Sequence, residues 1–241
     1  MKRTLLATAA LLLFAGSAVD AVAHGIWIAQ RHGELAIVYG HGASDEAYDP
    51  AKITAVAAHD GEQAVPVTPV NRETHALVPM PERAPVLIAT MDNGYWSQGA
   101  DGKWVNKPKS EVPGAKQASR SLKHTVAILR HTHDAALPKG LRLEIVPAKD
   151  PTELHAGDPL EVLVLLNGEP LANAPVTAEY TTDSEAEPVR TGADGKATIV
   201  VRNNGLNVVA VSAIEAPDEP EKADRISHFS TLSFNLGHHE H

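Results

Sequence analysis

Histidine is the residue type through which this chain could do chemistry. There are thirteen histidines and no cysteine. Without thiolates, the chain cannot form disulfides, cysteine–zinc sites, iron–sulfur clusters or a cysteine nucleophile. Any metal chemistry must use nitrogen and oxygen donors. His24 follows Ala21-Val22-Ala23, which has the small-x-small form of an export cleavage site. Cutting there makes His24 the first residue. Its free α-amine and imidazole Nδ1 can then close a chelate ring on one ion, a donor pair that suits Cu(II) or Ni(II). The amine titrates near about 8, so the metal must displace its proton. Gly25 follows and allows close backbone approach. The better-known terminal copper and nickel motif needs histidine in third place; here that residue is Ile26.

Other histidines could complete a ligand set. His41 lies in Tyr39-Gly40-His41-Gly42, at the end of an expected strand. Alternation puts Leu35, Ile37, Tyr39 and His41 on one face, so His41 is either a further imidazole ligand or a core histidine bonded to a carbonyl. His131 and His133 form an H-x-H pair that a strand would turn to one side. Arg130, Asp134 and Pro138 instead favour a solvated loop. His124 shares a face with Val126 and Ile128 and is a third ligand or a buried structural residue. His228 has the parity of Leu232, Phe234 and Leu236, hence a core-side position and either a site or a packing role. His32, His59, His75 and His155 sit in polar surroundings and are expected at the surface. The ending His238-His239-Glu240-His241 reads as a weak, flexible metal collector.

The elements that must position these residues are strands. Residues 1–23 read as a secretory signal: Lys2 and Arg3 precede an apolar run at 5–19 that is short for a membrane span. An alternative cut after Ala18 places Gly16 at the −3 position. The mature chain is expected to be exported and soluble, in a bacterial periplasm. Short β-rich runs occupy 26–28, 34–39, 53–59, 86–91, 125–130 and 142–147, separated by Gly, Pro, Asn and Asp. The polar stretch at 94–121 reads as a hairpin or a partly helical connection. A second pattern follows residue 142: strands at 160–166, 174–180, 197–201, 207–213 and 229–236, with turns at Asn167-Gly168 and Asp194-Gly195. Its wording resembles transthyretin-like and immunoglobulin-like sandwich modules. The expected fold is all-β, with two β-sandwich domains. An N-terminal β domain at 24–140 carries the metal site, an immunoglobulin/transthyretin-like sandwich occupies 141–236, and the His-rich tail covers 237–241.

Composition limits the function. The chain is 43% hydrophobic and 21% charged, an ordinary globular balance. A net charge of −9 disfavours nucleic acid or an anionic membrane. No G-x-S-x-G, H-E-x-x-H, P-loop or Rossmann glycine motif is present. Asp218-Glu219-Pro220-Glu221 reads as a solvated acidic loop.

The order of motifs resembles a bacterial periplasmic family of domains of unknown function associated with nickel and cobalt uptake. It is carried by His24-Gly25-Ile26-Trp27-Ile28 directly after the signal, Tyr39-Gly40-His41-Gly42, Leu143 to Pro147, Asn167-Gly168-Glu169-Pro170-Leu171, the Thr191 to Ala197 turn and Thr231-Leu232-Ser233-Phe234. The resemblance covers essentially the whole mature chain. It implies a two-part β fold and periplasmic metal binding, beside a membrane uptake transporter or outer-membrane receptor. Only His24 and His41 carry over as ligands. Three functions follow as expectations: a non-catalytic binder of Ni(II), or of Co(II) or Cu(II), with one of His124, His131, His133 or His228 as the next ligand; a structural sandwich without metal; and a copper histidine-brace oxidase needing a flat aromatic surface from Trp27, Trp96 and Trp104.

Overall fold

The computed structural model describes residues 24–61, 63–80, 82 and 84–237. The expected signal segment and the histidines of the tail lie outside them. The described residues form strands and three short 3-10 turns. The first strands are β1 (Gly25–Arg31), β2 (Glu34–Gly40), β3 (Ile53–Asp60), β4 (Gln63–Pro66), β5 (Val70–Asn71) and β6 (Ala76–Val78). Next come β7 (Val86–Gln98), β8 (Trp104–Val105) and β9 (Gln117–Ile128). The second half holds β10 (Leu143–Pro147), β11 (Pro159–Leu166), β12 (Glu169–Pro170), β13 (Pro175–Thr177), β14 (Val189–Arg190), β15 (Lys196–Val200), β16 (Leu206–Glu215) and β17 (Arg225–Asn235). The polar stretch after Gly94 resolves into the β7–β8 hairpin, a 3-10 turn at Lys109–Glu111 and the start of β9.

One nine-stranded sheet organises the molecule, in the order β14-β13-β16-β17-β9-β7-β3-β4, with β8 on β7. β9 from the first half and β17 from the second pair in parallel from Arg225↔Ser119 to Phe234↔Ile128. The two halves read from the sequence therefore share a sheet, and residues 140 and 141 lie in the coil between β9 and β10.

Each face of this sheet is covered differently. On one face Val126, Ile128, Val209, Val211, Leu232 and Phe234 pack against Leu143, Ile145, Leu160, Val162, Val164 and Ile199. Those residues belong to the four-stranded sheet of β10, β11, β12 and β15, so this half is a sandwich. On the other face stands the sheet β1-β2-β6-β5. Its β1–β2 hairpin closes through His32 and Gly33, both at positive φ, as a two-residue turn requires. Both faces of the hairpin are buried. Ile26, Ile28, Leu35 and Ile37 meet Val56, Leu87, Ala89 and Met91, while Trp27, Ala29, Ala36 and Val38 meet Tyr180, Val208, Ala210 and Phe229. Burying each large apolar side chain contributes about 1.5–3 kcal/mol.

The hairpin meets the large sheet edge-on. Thr231 Oγ1 donates to the Ile26 carbonyl at 2.6 Å, and Ser233 Oγ donates to the Ile28 carbonyl at 3.1 Å. Hydroxyls rising from β17 thus satisfy acceptors on the open edge of β1, groups that would be costly to bury unpaired. This contact fixes the start of β1, and with it His24.

Candidate metal site

The antiparallel register pairs Gly25 with Gly40, so the residues flanking them, His24 and His41, emerge at the same corner. Their ring centres are 6.4 Å apart. With metal–nitrogen bonds of about 2.0–2.1 Å, two imidazoles facing each other across one ion have centres about 6.4 Å apart. The observed spacing sits at that limit. His24 Nε2 lies 2.8 Å from Glu46 Oε1, and the ring stacks on Tyr39 at 5.3 Å. That contact uses Nε2 and leaves Nδ1, the nitrogen a terminal chelate would use. Glu46 is held by its own N–H, which donates to the Tyr39 carbonyl at 2.7 Å.

Tyr180 ties the corner together. Its hydroxyl accepts from Gly25 N–H at 3.2 Å, donates to the Gly40 carbonyl at 3.1 Å and lies 3.2 Å from His41 Nδ1. With the phenol proton on the Gly40 carbonyl, His41 Nδ1–H is the donor to Tyr180. Nε2 faces Ser184 Oγ at 3.3 Å and Glu185 Oε1 at 3.1 Å. A ligating histidine oriented through its second nitrogen is the usual outer-shell arrangement at a metal. Burial pushes the Tyr180 phenol well above its ordinary value, so it stays a neutral hydroxyl. The ring is anchored edge-on to Trp27 at 6.0 Å and against Phe229 at 5.0 Å.

The glycines have steric reasons. A Cβ at Gly25 would lie 2.6 Å from Phe229 Cε1, and one at Gly40 would lie 1.9 Å from the Ser44 carbonyl oxygen. Ser44 accepts from His41 N–H at 3.0 Å, closing the turn that aims the imidazole. Beneath the corner is a buried cation. Lys123 Nζ stands 5.6 Å from the Phe229 ring centre, and burial pushes it down to about 8.

The remaining expected ligands do not join His24 and His41. His41 itself lies beyond the last residue of β2, so strand alternation no longer governs it, and it turns toward Tyr180. His124 and His228 are buried on the opposite face of the large sheet, with Val126 and Leu232. There His124 Nε2 is 3.3 Å from His228 Nδ1, and His228 Nε2 is 3.0 Å from Glu215 Oε2. Arg142 Nε donates to the same Glu215 oxygen at 3.0 Å and holds that carboxyl below its usual range. Burial drives His124 down to about 3 and also lowers His228. This is a neutral pair in a packed interior. His131 and His133 sit in the loop after β9, past the far end of the sheet.

Two sequence expectations need correction. His59 is buried rather than exposed, because β3 turns it inward at its end. Trp27 is 1% exposed and belongs to the core, so it contributes no surface for a flat substrate. Sequence reasoning also missed Tyr180, Glu46, Ser184 and Glu185. No local signal marks Tyr180, which arrives from the other half of the chain. Among the described residues, no three His, Asp or Glu side chains are gathered so as to hold an ion by themselves. The donor that a terminal chelate adds is a backbone nitrogen.

Family comparison covers this corner. The model for a domain of unknown function, DUF4198, matches residues 21–215, a span that includes His24, His41, Glu46, Tyr180 and Glu185. The chain belongs to the DUF4198 family. This DUF4198 chain is also 28% identical over 151 residues to an uncharacterized protein of Haemophilus influenzae, covering 62% of this chain and 64% of that relative. No solved structure matches it.

Proposed function

We propose that this DUF4198 protein is a non-catalytic periplasmic metal carrier. It takes up Ni(II), with Co(II) and Cu(II) as the alternative ions, and passes it to a membrane uptake transporter or outer-membrane receptor. The observation that carries this reading is the convergence of His24 and His41 at one corner, their ring centres 6.4 Å apart, with Glu46 on one nitrogen of His24, Tyr180 on one nitrogen of His41 and the second nitrogen of His41 at the open side beside Glu185. In this reading export processing converts the His24 backbone nitrogen into an amine. The ion is then held by that amine, His24 Nδ1 and His41 Nε2, with Glu46 and Tyr180 as positioning residues. Nitrogen donors of this kind favour Cu(II) and Ni(II). Glu185, whose side chain is 80% exposed, stands at the open side and suits entry and release. Among the described residues no helix is long and apolar enough to cross a membrane, which fits a carrier that works beside a separate transporter. Protons compete for every donor, so affinity should fall as the solution is acidified.

The test is calorimetric titration with NiCl2 of the chain beginning at His24, beside His41→Ala. One tight equivalent that weakens at least tenfold in the variant supports the carrier. Equal binding by both chains contradicts it.

A further inference from the structure

Lys123 is a buried cation without a counter-charge among the described residues. It is 3% exposed, and among those residues its Nζ has neither a hydrogen-bond nor an ion-pair partner; its neighbour is the Phe229 ring, 5.6 Å away. Burial alone acts on its proton affinity and pushes it down to about 8, so it is charged at pH 7. The carboxylates of the corner, Glu46 and Glu185, lie against His24 and His41 instead. The tip of Lys123 is not sealed off. Among the described residues, the polar atoms closed to water without a partner are Trp27 Nε1, His59 Nε2, His124 Nδ1 and Ser230 Oγ, and Lys123 Nζ is not one of them. An ammonium with no partner inside and a route to solvent is placed to meet an anion from outside.

The strands put this ammonium at the floor of the His24–His41 corner. β1 runs along β17, with the Ile26 carbonyl held by Thr231 and the Ile28 carbonyl by Ser233. One strand repeat earlier, His24 comes to the level of Phe229, which pairs in register with Lys123. β1 begins at Gly25, so the large sheet continues past it. There Ser121 and Ser227, paired in register, share the face of Lys123 and Phe229 by alternation. Neither hydroxyl has a hydrogen-bond partner among the described residues, and each can donate to an oxyanion. On the β7 side a second ammonium stands close to the corner. Lys52 Nζ donates to the neutral Asn93 Oδ1 at 2.8 Å, and Asn93 Nδ2 donates at 3.3 Å to the hydroxyl of Tyr39, the ring on which His24 stacks.

We infer that the floor of this corner is a site for a small dicarboxylate, with Lys123 Nζ binding one carboxylate and the Ser121 and Ser227 hydroxyls at its rim. A carboxylate there supplies the charge-assisted partner that the ammonium lacks. The second carboxylate faces the corner, and this half of the inference rests on the carrier reading. The amine, His24 Nδ1 and His41 Nε2 leave one position of a square plane, and a carboxylate oxygen fills it. The ion is then taken up as an anionic chelate, whose charge offsets that of the ion and the ammonium together.

The test uses the chain beginning at His24 and its Lys123→Met variant, which keeps a long unbranched side chain in the same packing. Sodium malonate is titrated into each without metal, with malonamide, neutral and of like shape, as the control. The Lys123 side-chain CH2 signals and the Gly25, Ser121 and Phe229 amide signals report binding. The expected result is saturable shifts with malonate, none with malonamide, and affinity at least tenfold weaker in Lys123→Met. No saturable shift in the parent chain, equal shifts with malonamide, or equal affinity in Lys123→Met overturns the inference. Calorimetry then repeats the malonate titration with one equivalent of NiCl2 on the parent chain and on His41→Ala. Malonate affinity that rises at least tenfold with NiCl2, and does not rise in His41→Ala, supports uptake as a chelate. Unchanged malonate affinity overturns the chelate half and leaves a site for the free anion. No binding of NiCl2 at all contradicts the carrier reading, and the chelate half with it, while the metal-free result stands by itself.

Discussion

Tyr180 sets the candidate site through a single oxygen, which touches the backbone of β1, the backbone of β2 and the ring of His41. Tyr180→Phe keeps the ring packed and removes only that oxygen. It should lower Ni(II) affinity about 10–100-fold, as loss of an outer-shell partner does. Stability should fall by about 1–3 kcal/mol, because the Gly25 N–H and the Gly40 carbonyl are left with one partner fewer. Calorimetry and urea unfolding measure the two effects separately. Lys123 gives a prediction of opposite sign. Burial holds it at about 8, below its ordinary 10.5. Between those values the unfolded chain binds more protons, so stability rises with pH across that window and the buried charge is a cost below it. Lys123→Met should therefore stabilise the protein at pH 7 by about 1–3 kcal/mol and flatten that rise. Urea midpoints at pH 7 and pH 10 check it. At this scale the sequence marked His24 and His41, through a cleavage motif and a flanking glycine pair. It could not mark Tyr180, because the contact spans 139 residues and depends on tertiary register.

At the scale of elements, the hairpin β1–β2 is the part that presents the site, and its footing is polar. Thr231→Val removes the hydroxyl that satisfies the Ile26 carbonyl and touches Thr125 Oγ1 at 2.8 Å. The shape is nearly unchanged, so the cost is that of an unsatisfied buried acceptor, about 1–3 kcal/mol, with weaker metal binding as β1 loosens. Urea unfolding and NiCl2 titration of the variant report both. Strands such as β1, β2, β7, β11 and β16 were legible from β-rich runs between turn residues, and the Asn167-Gly168 turn adopts the positive φ values its residues predict. The parallel pairing of β9 with β17 was not legible. Alternation records which side of a strand is apolar, and says nothing about which distant strand lies beside it.

Over the whole molecule, the large sheet divides the histidines among separate places: the His24–His41 corner, the buried His124–His228 pair and the exposed His131–His133 turn. The buried pair acts on stability. His124 sits at about 3 against an ordinary 6.5, so the unfolded chain takes up a proton that the folded chain refuses. Its contribution is complete above about pH 6.5 and is lost as pH falls toward 3, at up to about 1.4 kcal/mol per pH unit. His124→Leu should flatten that acid slope in urea titrations from pH 7 to pH 4.5. The separation also defines what a metal experiment must distinguish, since an ion held at another of these places would mimic binding at the corner. One comparison isolates the corner: NiCl2 titration of the chain beginning at His24 against the same chain carrying one extra alanine before it. The added residue leaves every side chain in place and moves only the amine. The account predicts that the tight equivalent is lost with the extra alanine; tight binding that survives it would contradict a terminal histidine site.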